Sequence, residues 1–334
     1  MGKCGQTLNP GVAIVGCGLI GQKRALALGG CPLVICCDTQ RIRAEELARR
    51  FPGAKAECDW SLAATNPEVE IVVVATTHDQ LASVARLAAA AGKHVLIEKP
   101  GARRAGELDP VLCESERTGA RVRVGFNHRY HRSLQAAHRI FREGVLGELM
   151  YVRGRYGHGG RPGYDREWRA DPKISGGGEL LDQGVHLIDL ARWFLGDFSD
   201  VTGHIATYYW DMPVEDNAFL LMKTEAGKTA FLHATWTEWK NTFSLEICGR
   251  NGKLEITGLG GSYGMEKLAL YKMLPCMGPP ETTIWEYPMA DNSWDLEFRE
   301  FLDDILLQRD PQPGVRDAQS ALRVVERIYA GDPQ

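Results

Sequence analysis

The stretch Val12 to Gly21, VAIVGCGLIG, decides the fold: an apolar run ends in Gly16-Cys17-Gly18-Leu19-Ile20-Gly21, the G-x-G-x-x-G pattern that closes a strand and opens a helix around a dinucleotide. Gly16 permits the tight turn, Gly18 lets backbone N–H groups approach the pyrophosphate, and Gly21 allows close helix packing. The helix N-terminus adds partial positive charge. Gly16, Gly18, Leu19, Ile20 and Gly21 are therefore the first cofactor-binding candidates.

Outward from this loop, apolar runs alternate with helical spacing. Leu33 to Cys37, Val69 to Ala75, His94 to Glu98 and Val122 to Phe126 read as further strands, with a weaker one near Ala54 to Cys58. Apolar residues between them recur at helical spacing, as in Leu81, Val84, Ala85 and Ala88. This rhythm predicts a doubly wound α/β domain over 1–126. Past Phe126 it changes to a helix over 133–142, a strand over 148–156, a helix over 178–194, strands from 201 to 287, and two closing helices. These features predict an α+β domain over 127–334 with a large, mostly antiparallel open sheet, the C-terminal helix packing back toward the first domain.

The 334 residues suit two domains, and 44% hydrophobic with 25% charged residues is globular composition. A net charge of −4 gives no basic footprint for nucleic acid or acidic membrane. No apolar run approaches the ~18 residues of a membrane span. The opening MGKCGQ resembles a myristoylation start but has Gln6 where Ser or Thr is needed. Nine cysteines without a C-x-x-C pair fit a reducing compartment, so a cytoplasmic location and no metal site are expected.

Asp38 ends the second strand, 22 residues after Gly16, where a carboxylate accepts the adenosine ribose hydroxyls. It repels a 2′-phosphate. NAD is therefore expected over NADP, although Arg41 and Arg43 follow closely. Glu98-Lys99-Pro100 lies at a strand's carboxyl end, the edge where open α/β sheets bind ligands. The Lys99 ammonium there suits a substrate hydroxyl turning toward alkoxide; the plainer alternative is a solvated lysine paired with Glu98. In GGGELLDQGVHLIDL, Asp182 and His186 stand four apart on one helix face. His186 is a candidate general base oriented by Asp182; the alternative is a packing histidine bonded to Asp182.

Together, GCGLIG, AGKHVLIEKP at Ala91 to Pro100, VGFNHRY at Val124 to Tyr130, GGGELLDQGVHLIDL at Gly176 to Leu190 and the ending GVRDAQSALRVVERIY resemble the Gfo/Idh/MocA family of glucose–fructose oxidoreductases and inositol dehydrogenases. The resemblance implies a Rossmann domain, a second domain whose open sheet makes homodimer or homotetramer contacts, and substrate near the nicotinamide between the domains. It puts the catalytic groups on Lys99, Asp182 and His186, with the base either the Lys or the His. Asn127 and Arg129 fall near the substrate or nicotinamide. Thr76, Thr77, Glu98 and Lys99 border the cofactor, while Leu81 departs from the T-P-x-x-x-H of many relatives. The implied reaction is reversible oxidation of a secondary ring hydroxyl on a sugar or cyclitol.

Between Tyr151 and Lys173, six basic residues face three acidic ones, with Tyr156, His158, Tyr164 and Trp168 interleaved. Tyr156, His158, Arg161, Trp168, Arg169 and Gln183 are the substrate-binding candidates beside Lys99, Asp182 and His186. Arginines of this kind recognise carboxylate or phosphate, so an anionic or nucleotide-linked sugar leads. A neutral glycoside oxidised at its 3-hydroxyl, or an inositol, stays open. Two rivals of other classes are a non-enzymatic NAD(P)-sensing regulator and, more weakly, a metal-dependent hydrolase using Asp182, His186 and Asp189.

Overall fold

The computed structural model describes residues 9–331, so the MGKCGQ opening lies outside the described residues. The chain divides into two units, one running up to Phe126 and joined by Trp294–Gln319, the other formed by Asn127–Ser293 and the chain from Ser320 onward.

The first unit alternates β1 (Val12–Val15), α1 (Leu19–Leu26), β2 (Leu33–Cys37), α2 (Arg41–Ala48), β3 (Lys55–Glu57), α3 (Trp60–Thr65), β4 (Ile71–Val74), α4 (His78–Ala90), β5 (His94–Glu98), α5 (Asp109–Thr118) and β6 (Val122–Gly125). All neighbours pair in parallel in the order β3-β2-β1-β4-β5-β6. Parallel strands covered on both faces need side chains that are apolar on both sides, which is why β1 and β4 are four-residue runs buried throughout. The order reverses between β1 and β4, and ligands bind at the carboxyl ends of strands at such a point.

The second unit contains α6 (Arg132–Arg142), β7 (Leu149–Gly157), α7 (Pro172–Ser175), a π-helical turn at Leu180–Gly184, α8 (Val185–Leu195), β8 (Phe198–Ala206), β9 (Asn217–Thr224), β10 (Thr229–Thr235), β11 (Thr242–Gly249), β12 (Lys253–Thr257), β13 (Glu266–Lys272) and β14 (Glu281–Tyr287). Its eight strands run β14-β13-β12-β11-β7-β10-β9-β8 and are antiparallel except where β7 lies parallel to β10. Gly154 lets α8 approach one face: a Cβ there would stand 3.3 Å from Leu187 and 3.0 Å from Leu245. The other face is open, with Phe231 opposite Leu221 and both exposed.

Two closing helices follow, α9 (Ser293–Leu306) and α10 (Val315–Gly331). The expectation that everything after Phe126 forms one second domain is corrected for 294–319. Phe298 and Phe301 are fully buried in one cluster with Ile14, Leu33 and Leu47, so α9 completes the core of the first unit. The helix expected over 178–194 also differs, because it opens with a π turn. There Glu215 Oε1 accepts from Leu180 N at 3.0 Å and Gly178 N at 3.1 Å, anchoring the widened turn.

Candidate active site

In the first unit the three loop glycines separate by cause. Gly16 has φ +98°, and a Cβ there would lie 2.4 Å from the Ala75 carbonyl oxygen; at Gly21 it would lie 1.8 Å from the Gly16 oxygen. Both are required by the protein's own backbone. Gly18 has an ordinary φ of −70° and no atom within 4 Å of the Cβ position, so nothing in the chain demands glycine there. That open space lies before the N-terminus of α1, and it fits a phosphate brought close to backbone N–H groups. Leu19, the first residue of α1, is exposed beside it. Asp38 faces the same loop: Oδ2 accepts from Cys17 N at 2.9 Å and Oδ1 from Gln40 N at 2.8 Å. A carboxylate offers about four lone-pair sites, so the fixed group retains capacity for two ribose hydroxyls. Thr76 and Thr77 follow β4, and the Thr77 hydroxyl donates to Asp79 Oδ1 at 2.6 Å. Leu81 is fully buried in the unit, so packing occupies that position.

Lys99 is half-buried immediately after β5, and its peptide to Pro100 is cis. Glu98, expected beside the cofactor, is buried with its carboxylate held by Arg24 Nε at 2.6 Å.

The second unit gathers most of the remaining candidates. Asp182 and His186 are both buried, Asp182 in the π turn and His186 in the first turn of α8. Arg169 Nε donates to Asp182 Oδ2 at 3.0 Å, and its guanidinium lies 4.5 Å from the Trp168 ring. Burial opposes the Arg169 charge, but Asp182, with Tyr164 and Glu167 adding to it, outweighs burial and raises the pKa. His128 stacks on His186 with ring centroids 3.7 Å apart and hydrogen-bonds Asn127 Oδ1 through Nδ1 at 3.2 Å. Asn127 Nδ2 donates to Ser293 Oγ at 3.0 Å. Gln183 Nε2 donates to the Tyr263 hydroxyl at 3.4 Å, and Tyr156 packs 5.0 Å from the Tyr263 ring and 6.3 Å from His186. Burial, with Tyr263 adding to it, pushes the Tyr156 hydroxyl well up.

The other candidates are engaged with partners of their own. Arg161 is 71% exposed at its side chain and pairs with Glu167. Arg129 gives both arms of its guanidinium to Asp189. His158 is half-buried, accepting from Gly160 N at 2.9 Å. Arg153 pairs with Glu246 and Arg155 with Glu238, so two of this segment's positive charges are met by acids on β11 and the loop before it. His128 and Tyr263 were missed by sequence reasoning: VGFNHRY carried a signal for the first, and a glycine-rich turn gave none for the second. Among the described residues, no group of three or more His, Cys, Asp and Glu side chains is placed to hold a metal ion. No described helix is long and apolar enough to cross a membrane.

Two family models match the chain: an oxidoreductase family, NAD-binding Rossmann fold, over residues 11–126, and a GFO/IDH/MocA C-terminal domain over 134–255. Levoglucosan dehydrogenase of Pseudarthrobacter phenanthrenivorans is 30% identical over 236 residues, 66% of this chain and 60% of that protein. Inositol 2-dehydrogenase 2 of Saccharopolyspora erythraea is 30% identical over 230 residues, 66% of this chain and 64% of that protein. The match thus spans less than two thirds of either relative. A solved levoglucosan dehydrogenase in complex with NADH and levoglucosan shares the fold with a TM-score of 0.87, at 22% identity and 97% coverage of both chains. From the glycine loop to the open sheet, the chain belongs to the Gfo/Idh/MocA family of oxidoreductases, and its first unit is that family's NAD-binding Rossmann fold.

Proposed function

We propose that the protein is an NAD-dependent dehydrogenase that oxidises a secondary ring hydroxyl of a neutral sugar or cyclitol. The observation that carries this reading is the buried Asp182–His186 turn, an acid and an imidazole held out of water with Arg169 and His128 against them. Bound NAD supplies the acceptor for the hydrogen leaving the carbinol carbon. His186 takes the proton from the hydroxyl oxygen, the general-base role that an imidazole commonly fills. Asp182, paired with the Arg169 guanidinium, lies one turn before His186 in the same buried helical segment. Lys99 donates a hydrogen bond to the oxygen as negative charge develops on it. Asp38 selects NAD through the ribose hydroxyls.

The arginine-rich segment first suggested an anionic or nucleotide-linked sugar. Pairing of Arg153, Arg155, Arg161 and Arg169 with carboxylates removes that footing and favours a neutral substrate. A homo-oligomer formed through the exposed sheet face is part of the same reading.

The test is a panel of levoglucosan, myo-inositol, D-glucose, L-sorbose and UDP-glucose with NAD and with NADP, following reduced cofactor and identifying the ketone by mass spectrometry. Turnover of a neutral member with NAD is expected, with His186→Gln and Lys99→Met each lowering kcat by about 10²–10⁴-fold. Tight NADH binding without turnover of any sugar would replace this reading with a cofactor-sensing regulator.

A further inference from the structure

We propose that Arg24 is a positioning residue for Lys99, a buried guanidinium through which the cofactor helix holds the turn that carries the lysine. This rests on the reading of Lys99 as catalytic. Arg24 lies in the last turn of α1, the helix that opens from the glycine loop, and is 1% exposed. Nε and Nη2 both approach Glu98 Oε1 at 2.6 Å, and Nη1 approaches Glu297 Oε2 at 2.6 Å. The Trp294 ring lies 4.4 Å beneath the guanidinium. Gly125 completes the housing, since a Cβ there would come within 2.6 Å of Nη2.

A buried arginine is costly unless its charge and donors are met. Burial opposes the Arg24 charge, and Glu297 and Glu98 outweigh it, so its pKa rises. Glu98 is thereby fixed twice. Its carboxylate is clamped by Arg24, and its carbonyl accepts from Gly101 N at 2.9 Å, closing a turn with Lys99 and Pro100 in the middle. Whatever settles α1 against a bound phosphate is passed through one rigid planar group to the residue before Lys99. Lysine at position 24 would keep the charge and lose the planar fork that meets both carboxylates.

The experiment compares wild type, Arg24→Lys, Lys99→Met and the double variant, using the fastest sugar of the panel above, together with backbone hydrogen exchange over residues 98–104 with and without NADH. For Arg24→Lys we expect NADH affinity within about 3-fold, KM little changed and kcat lowered about 10–100-fold, the scale of a misplaced catalytic group. In the Lys99→Met background the same substitution should lower kcat no further. NADH should slow exchange over 98–104 in wild type and in Lys99→Met, and not in Arg24→Lys. An equal drop in both backgrounds, or protection that persists in Arg24→Lys, overturns the proposal. Full kcat in Lys99→Met instead overturns the role of the lysine, while the exchange arm still judges the link from Arg24. Should Arg24→Lys fail to fold, Glu98→Gln keeps the volume and weakens the clamp to Arg24. It then carries the same cycle with a drop of about 3–10-fold, and no drop overturns the proposal.

Discussion

Arg129 and Asp189 form a two-armed ion pair, Nε to Oδ2 at 2.8 Å and Nη2 to Oδ1 at 2.6 Å, in which both side chains are buried. Asp189 sits three residues beyond His186 on α8, so the pair ties the NHRY turn to the helix bearing the candidate base. The guanidinium expected near the substrate is committed to the scaffold. Removing one partner strips a buried charge of its two-armed counter-ion, and Asp189→Ala should destabilise the protein by about 3–5 kcal/mol. Denaturant unfolding checks this; a loss below ~1 kcal/mol would mean water reaches the pair.

The loop glycines should respond differently to the same added methyl. Gly21→Ala forces a Cβ to within 1.8 Å of a carbonyl oxygen and should lower the melting temperature sharply. Gly18→Ala meets no protein atom, so melting should stay near wild type while NADH binds at least ~10-fold more weakly, about 1.4 kcal/mol. Fluorescence titration and thermal melting separate the two, and equal NADH affinity in Gly18→Ala would show that the open space is not where the cofactor lies.

Asp38, proposed above to select NAD, also accepts from Cys17 N, so replacing it should do two things. Asp38→Ser should lower the preference for NAD over NADP in kcat/KM, by removing the charge that repels a 2′-phosphate. It should also raise KM for NAD, because the loop loses an anchor. An unchanged NAD-to-NADP ratio counts against the assignment.

Stability should fall on mild acidification. Burial lowers the imidazoles of His138 and His233 to about 4, with nearby arginines adding to the effect. Unfolded histidine titrates near 6.5, so between about 6.5 and 4 the unfolded chain binds more protons than the folded one. The stability conferred by neutral imidazoles is complete above about 6.5 and is lost progressively as pH drops toward 4. His138→Phe keeps an aromatic ring against Trp193, 3.8 Å away in the native stack, and should flatten part of that slope. Unfolding free energies at pH 7, 6 and 5 provide the measurement; identical values would refute neutral burial.

Much of the first unit was legible because parallel strands must be apolar on both faces. The bounds of β1, β2 and β5 follow the runs Val12–Val15, Leu33–Cys37 and His94–Glu98 residue for residue. The antiparallel region was legible through alternation, as in the buried-intermediate pattern of β11 and β12. Other features have no local signature. An amphipathic pattern shows that α9 buries a face without saying against which sheet, so its place beside Ile14 and Leu47 was hidden. A π turn keeps nearly the same spacing of Asp182 and His186 as an α-turn, so periodicity passes over it. The arginines between Tyr151 and Lys173 read as free charge because Glu238 and Glu246 lie far along the chain and arrive only through strand pairing and the loop before β11.

The membership of Phe298 and Phe301 in the first unit's core also bears on the order of events at the ribosome. When residues 9–126 have emerged, all six strands of their sheet exist, but two phenylalanines of the core and the Glu297 partner of Arg24 are still unsynthesised. The nascent nucleotide-binding half therefore lacks two of its core side chains and one carboxylate partner of Arg24 while the whole eight-stranded sheet is translated. Completion of the earliest-made unit is thus a late step of biogenesis.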